Sequence, residues 1–94
     1  MNHSLRYKFS YRREFKERLE KLDREAKNRI KEKIKEFREH VNIHGVDPRL
    51  HGSTKFVVSY GVWRLRVGDY RVFFDFVNNE IKFLTVLHRK EAYR

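Results

Sequence analysis

The stretch Trp63-Arg64-Leu65-Arg66-Val67-Gly68-Asp69-Tyr70-Arg71-Val72-Phe73-Phe74 decides the fold. Apolar and basic residues alternate before Gly68-Asp69 and alternation resumes after it, the pattern of two half-buried strands. Gly at the first central position suits a type II′ hairpin turn of two residues. Such a turn sets the register: Val67 opposite Tyr70, Arg66 opposite Arg71, Leu65 opposite Val72, Arg64 opposite Phe73, Trp63 opposite Phe74. Residues directly opposed across an antiparallel pair share a face. Trp63, Leu65, Val67, Tyr70, Val72, Phe74 and Phe76 therefore form one apolar surface for helices to cover. Arg64, Arg66, Arg71, Phe73 and Asp75 form the other.

Outward from the hairpin, the strands are predicted over 62–67 and 70–77. Asn78-Asn79 tolerates positive φ and marks a second tight turn. It leads to a strand over 81–87, whose Lys82, Leu84 and Val86, with His88, are expected to extend the arginine face. Upstream, 56–60 reads as a strand, and 42–54, with Gly45, Pro48 and Gly52, reads as a loop. Two helices precede the loop. One spans about 11–22, capped by Ser10, with an apolar stripe of Tyr11, Phe15, Leu19 and Leu22. The next spans about 24–41, capped by Asp23, with Ala26, Ile30, Ile34, Phe37 and Val41 as its stripe. Leu5-Arg6-Tyr7-Lys8-Phe9 alternates and predicts a further strand over 5–9. The expected fold is α+β in two layers: an N-terminal strand, a two-helix hairpin, then an antiparallel β-meander with the helices on one face. A single domain is expected over 1–94.

Composition narrows the function. The chain has 94 residues, with 23 Lys+Arg against 13 Asp+Glu and a formal net charge of +10. Cysteine is absent, which excludes disulfide scaffolds and Cys-based zinc sites. The N-terminus lacks the apolar stretch of a signal peptide, so a cytoplasmic location is expected. The surplus of positive charge favours a polyanionic partner. Membrane binding is not expected, because acids are interspersed with the bases on both helices. The five histidines, at 3, 40, 44, 51 and 88, are scattered. His40 and His44 sit four apart at a helix end without a well-placed acidic ligand, so neither a metal nor a cofactor is expected. There is no Gly-rich phosphate loop and no hydrolase-type Ser/His/Asp pattern.

Two arginines placed directly across a strand pair repel each other, and folding alone would not select that. A very basic chain also sets some arginines side by side by chance. Here Arg64 falls on the same face, and Phe73 accompanies it. Cations beside flat side chains suit a phosphodiester backbone with unstacked bases. Lys55, Phe73, Lys82 and Lys90 are the expected RNA-contacting flanks. The tail, His88-Arg89-Lys90-Glu91-Ala92-Tyr93-Arg94, follows the last strand and is expected at the rim of this face. Arginine binds phosphate bidentately and stays charged, so it is a poor proton acceptor. His88 is the one group of this region with an ordinary pKa near neutrality, so it is read either as a general base or, more simply, as a plain strand-end residue.

The hairpin Trp63–Phe74 and the terminal Val86-Leu87-His88-Arg89-Lys90-Glu91-Ala92-Tyr93 together resemble the RelE/ParE toxin superfamily of type II toxin–antitoxin pairs. Leu50-His51-Gly52 is similar to the L-x-G that precedes the sheet in many members. The resemblance covers essentially the whole chain. It implies a metal-independent mRNA endonuclease acting in the ribosomal A site, as in RelE-like members, with a cognate antitoxin, the ribosome and mRNA as partners. ParE-like members share the fold but inhibit DNA gyrase, and a non-catalytic RNA-binding module is a third reading. Carried over by position, the resemblance implies Arg64 and Arg66 as cleft cations and Arg71 at the scissile phosphate. It implies Arg89 at the leaving group and Tyr93 stacked on a base. Some members have cleft lysines where this chain has arginines.

Overall fold

In the computed structural model, which describes residues 7–92, Gly68 takes φ +57° at the first central position of the hairpin turn. The two strands it joins, β3 (Val62–Val67) and β4 (Tyr70–Val77), pair from Val67↔Tyr70 to Trp63↔Phe74 in the register read from the turn. Asn78 and Asn79 both adopt positive φ, +52° and +64°, and pass the chain from β4 to β5 (Glu80–His88). The sheet is completed by β1 (Lys8–Tyr11) and β2 (Thr54–Val57), in the order β1-β5-β4-β3-β2. All pairs are antiparallel except β1 with β5, which is parallel. A parallel partner needs a crossover, but β1 meets the last strand of the meander, so the helices and three strands intervene.

Helix α1 (Arg13–Glu20) and helix α2 (Arg24–Asn42) cover one face. Phe15 and Leu19 from α1 and Ile30, Ile34, Phe37 and Val41 from α2 interlock with Leu65, Val67, Val72, Phe74, Ile81, Phe83 and Val86. Asp23 caps α2 as its position predicts, accepting the Ala26 N–H at 2.8 Å. A 3-10 turn (Pro48–Leu50) stiffens the α2–β2 connection, and a last helix, α3 (Arg89–Ala92), follows β5 directly.

Several element ends differ from expectation. The first strand is Lys8–Tyr11 rather than 5–9, of which residues 5 and 6 lie outside the described residues. Tyr11 belongs to it because its ring stacks on Phe83 at 5.1 Å, a contact only β1–β5 pairing creates. Helix α1 consequently begins later, with Arg12 at the N-cap position and no side-chain cap. Ser10 is a strand residue whose hydroxyl donates to Glu80 Oε2 at 2.6 Å. The strand expected at 56–60 is displaced to Thr54–Val57. Residues 58–61 form the turn into β3, where Gly61 has φ +69° and donates its N–H to the Val57 carbonyl at 2.8 Å.

Candidate nucleic-acid interface

The strand period of two sends alternate β3 and β4 side chains away from the helices. Lys55, Arg64 and Phe73 lie in one row across β2, β3 and β4, and Thr85 of β5 continues it. Arg66, Arg71 and Leu87 form the next row, nearer the Gly68-Asp69 turn. The third row, at the far end, pairs Asp75 with Lys82. Acidic Glu80 lies beyond it, opposite Lys8. Positive charge on this face thus lies in the two rows nearer the hairpin tip.

The opposed Arg66 and Arg71 are held differently. Arg66 is exposed, whereas Arg71 is 7% exposed. The Arg71 guanidinium turns back on the hairpin, donating from Nη1 to the carbonyls of Gly68 at 2.8 Å and Tyr70 at 2.9 Å. These bonds satisfy turn carbonyls and offset the desolvation of a buried cation. Arg71 therefore has a structural task at the tip in addition to its charge. Arg89 is brought to the same turn: its N–H donates to the Asp69 carbonyl at 2.7 Å, and its Nε lies 3.8 Å from Asp69 Oδ1. The hairpin turn is thus the point where Arg66, Arg71 and Arg89 gather.

Strand β5 corrects part of the expected face. Phe74 opposes Phe83 but Phe73 opposes Thr85, so Leu84 is an extra residue forming a β-bulge. The bulge reverses the alternation beyond it. Val86 is buried against Val72 in the helix-covered core, not on the arginine face. His88 opposes Tyr70 on that same side, its ring edge-to-face at 5.4 Å. Its Nδ1 accepts the Lys90 N–H at 3.2 Å, while its own N–H donates to Glu91 Oε1 at 3.1 Å. This is the reciprocal pattern of a capping box, with His in the place of Ser or Thr and Glu three residues on. His88 thus starts α3. The His88 Nδ1 is engaged in capping α3.

Phe73 is also placed differently from an RNA-contacting ring. It is 4% exposed, covered by Tyr60 from the β2–β3 turn, with ring centroids 5.9 Å apart and planes at 68°. Lys55, Lys82 and Lys90 are exposed. Tyr93 lies outside the described residues.

Sequence reasoning missed Tyr60 and Arg29. Arg29 belongs to the charged outer face of α2, yet its Nη1 lies 3.2 Å from where a Cβ on Gly68 would stand. With Lys33, Ser53 and Arg66 it lines a groove of about 390 Å³ at the hairpin tip, where Glu32 and Glu36 also contribute. No spacing rule within α2 signals that meeting, which only the packing of α2 on the sheet creates.

A second surface lies on the helical side. Tyr11, Phe15, Leu19 and Ile34 floor a groove of about 510 Å³ between α1, α2 and β1. Lys16, Lys31, Lys35 and Arg38 rim it, with Glu39 the one acid. Arg38 is positioned over the Phe9 ring at 4.6 Å and donates to the Tyr11 hydroxyl at 2.9 Å.

The remaining histidines cluster elsewhere. His40, His44 and His51 stand together at the end of α2, with ring centroids 5.1 Å apart for His40–His51 and 5.9 Å for His40–His44. Among the described residues, no group of three His, Cys, Asp or Glu side chains is arranged to hold a metal ion. His51 is buried, and its Nδ1 accepts the Ser53 N–H at 3.2 Å. Burial first, then the charges of Lys33 and His40, hold its pKa below the ordinary value, while Glu36 opposes them. Among the described residues, no helix is long and apolar enough to cross a membrane.

This architecture, a mixed five-stranded sheet with two helices on one face and a cationic hairpin tip on the other, has relatives. Residues 9–93 match the family described as the ParE toxin of type II toxin-antitoxin system, parDE. The chain belongs to the RelE/ParE toxin superfamily, as the toxin component of a type II toxin–antitoxin pair. Among solved structures, it is similar to the RelB-RelE antitoxin-toxin complex from Methanococcus jannaschii. There the identity is 27% over 89% of this chain and 94% of the other, with a TM-score of 0.67. The archaeal RelE-RelB complex from Pyrococcus horikoshii OT3 shares the fold at 21% identity over 90% and 97% of the two chains, with a TM-score of 0.57. The intact E. coli RelBE toxin-antitoxin complex shares it at 17% identity over 85% and 93%, with a TM-score of 0.52. No curated protein matches the chain.

Proposed function

We propose that this toxin is a ribosome-dependent mRNA endonuclease, and that the hairpin tip is its cleavage site. The observation that carries the reading is the gathering of Arg66, Arg71 and Arg89 around the Gly68-Asp69 turn, on the face the two long helices leave uncovered. In the reaction, a ribose 2′-OH attacks the adjacent phosphorus and the bond to the 5′ oxygen breaks. The products are a 2′,3′-cyclic phosphate and a 5′-OH end. The residues Arg64, Arg66, Arg71 and Arg89 supply cations for the charge that develops on the phosphorane, and Lys55 with Lys90 guides the flanking backbone. Preorganised charge of this kind is worth about 2.7–4 kcal/mol per donor in other enzymes. The reading rests on charge stabilisation and on the in-line geometry that the ribosome imposes on the transcript. Tyr93 retains the role of a base-stacking residue in this proposal.

The antitoxin is the second partner. Solved relatives are toxin–antitoxin complexes, and the apolar groove rimmed by Lys16, Lys31, Lys35 and Arg38 suits an acidic amphipathic segment of such a partner. The +10 charge favours its rapid capture.

The ParE description of the matching family favours one alternative, a gyrase-inhibiting toxin without ribonuclease activity. Primer-extension mapping of transcripts after induction separates the two. Endonuclease action gives new 5′ ends within translated codons in the wild type, and these disappear in Arg66→Ala. An SOS response with intact transcripts would replace this reading with gyrase inhibition.

A further inference from the structure

Tyr60 is 53% exposed, while the Phe73 beneath it is 4% exposed. The β2–β3 turn is built to hold it there: Tyr60 donates its N–H to the Val57 carbonyl at 3.1 Å, and Gly61 closes the turn with φ +69°. The edge-to-face contact with Phe73 leaves much of the Tyr60 ring in solvent. Phe73 shares its row with Arg64 and Lys55 on successive strands. Neighbouring strands are about 4.8 Å apart, so the Arg64 and Lys55 backbones stand about 5 and about 10 Å from that of Phe73. An exposed ring supported from below, next to a row of cations, has the composition of a single-strand stacking platform. Packing alone does not call for this arrangement, since an aliphatic side chain would cover Phe73 as well.

We infer that Tyr60 is a base-stacking residue, and that an unstacked nucleobase of single-stranded RNA docks on its ring while Lys55 and Arg64 hold the adjacent phosphates. The inference rests on the ribonuclease reading and adds to it a second platform, at the β2–β3 turn. The nucleotide bound there lies upstream or downstream of the scissile phosphate, so its identity contributes to sequence preference.

The test measures fluorescence anisotropy of a labelled single-stranded hexaribonucleotide, and of versions carrying one abasic position at a time. Tyr60→Phe and Tyr60→Trp are expected to bind as the wild type does. Tyr60→Leu and Tyr60→Met, which keep Phe73 covered, are expected to bind roughly ten-fold more weakly or worse. One abasic position is expected to weaken the wild type by a similar factor and to leave Tyr60→Leu and Tyr60→Met unaffected. Equal binding by Tyr60→Leu, Tyr60→Met and wild type would overturn the stacking site and leave the ribonuclease reading standing. Absence of salt-sensitive RNA binding by the wild type would overturn the stacking site, whereas the ribonuclease reading, which concerns transcripts held by the ribosome, stands or falls with the primer-extension mapping.

Discussion

The two faces of the β3–β4 hairpin are made by the same twelve-residue stretch and do opposite things. On the helix side, Leu65, Val67, Val72 and Phe74 are buried in one core with α1 and α2. On the other side, the same strands present Arg64, Arg66 and Arg71, and cover Phe73 with a ring from a turn. One face is chosen for burial of apolar area. The other accepts cross-strand repulsion, which a folded domain tolerates when the first face is well packed. The comparison separates stability from function residue by residue, because successive side chains on a strand serve different faces.

The sharpest break of that comparison is Phe74→Ala. Phe74 is fully buried against Phe37 and Phe83, so its removal is expected to cost about 3–5 kcal/mol in denaturant unfolding. Toxicity should fall in proportion to the folded fraction. Next is Arg66→Ala on the opposite face, at an exposed position. Single-turnover cleavage on programmed ribosomes is expected to drop by roughly 100-fold or more, with an unchanged unfolding midpoint. Arg71→Lys sharpens the contrast further. It keeps the charge but loses the guanidinium whose Nη1 donates to both Gly68 and Tyr70, so both cleavage and stability should fall, the latter by about 1–3 kcal/mol.

A smaller effect tests the C-terminal helix. His88→Ala removes the acceptor for the Lys90 N–H and is expected to weaken α3 by about 1 kcal/mol, with a several-fold loss of cleavage through a misplaced Arg89. His88→Ser restores the cap and should restore the rate, which an obligatory proton acceptor at this position would not allow. The smallest effect concerns pH. Folding holds the His51 pKa below its ordinary 6.5, so the unfolded chain takes up a proton that the folded one refuses. Stability should therefore decline as pH falls below about 6.5, and His51→Asn should flatten that part of the melting profile. Asp47, held at about 2 by its bonds to Arg49, loses its contribution only as pH falls from about 3.8 towards 2, so the two groups act in separate windows.

Much of this was legible in local residues. The Gly68 and Asn78-Asn79 turns, the hairpin register and the α2 stripe with its Asp23 cap follow from neighbours along the chain, since turn type and side-chain period are short-range properties. The opposed Arg66 and Arg71 follow from the same turn. Strand ends were less legible. Tyr11 and Thr54 join strands because of partners distant in sequence, Phe83 and Leu65.

Alone, then, the order of residues determined which hairpin forms, which way its arginines point and to which superfamily the chain belongs. The tertiary structure decided the rest. The extra residue at Leu84 turned Val86 and His88 into the helix-covered side, packing brought Arg29 to Gly68, and a turn laid Tyr60 across Phe73. The physical reason is range: a turn is set by the conformational preferences of two residues, whereas a bulge or a ring-on-ring contact is selected by the free energy of surfaces that meet only once the chain has folded.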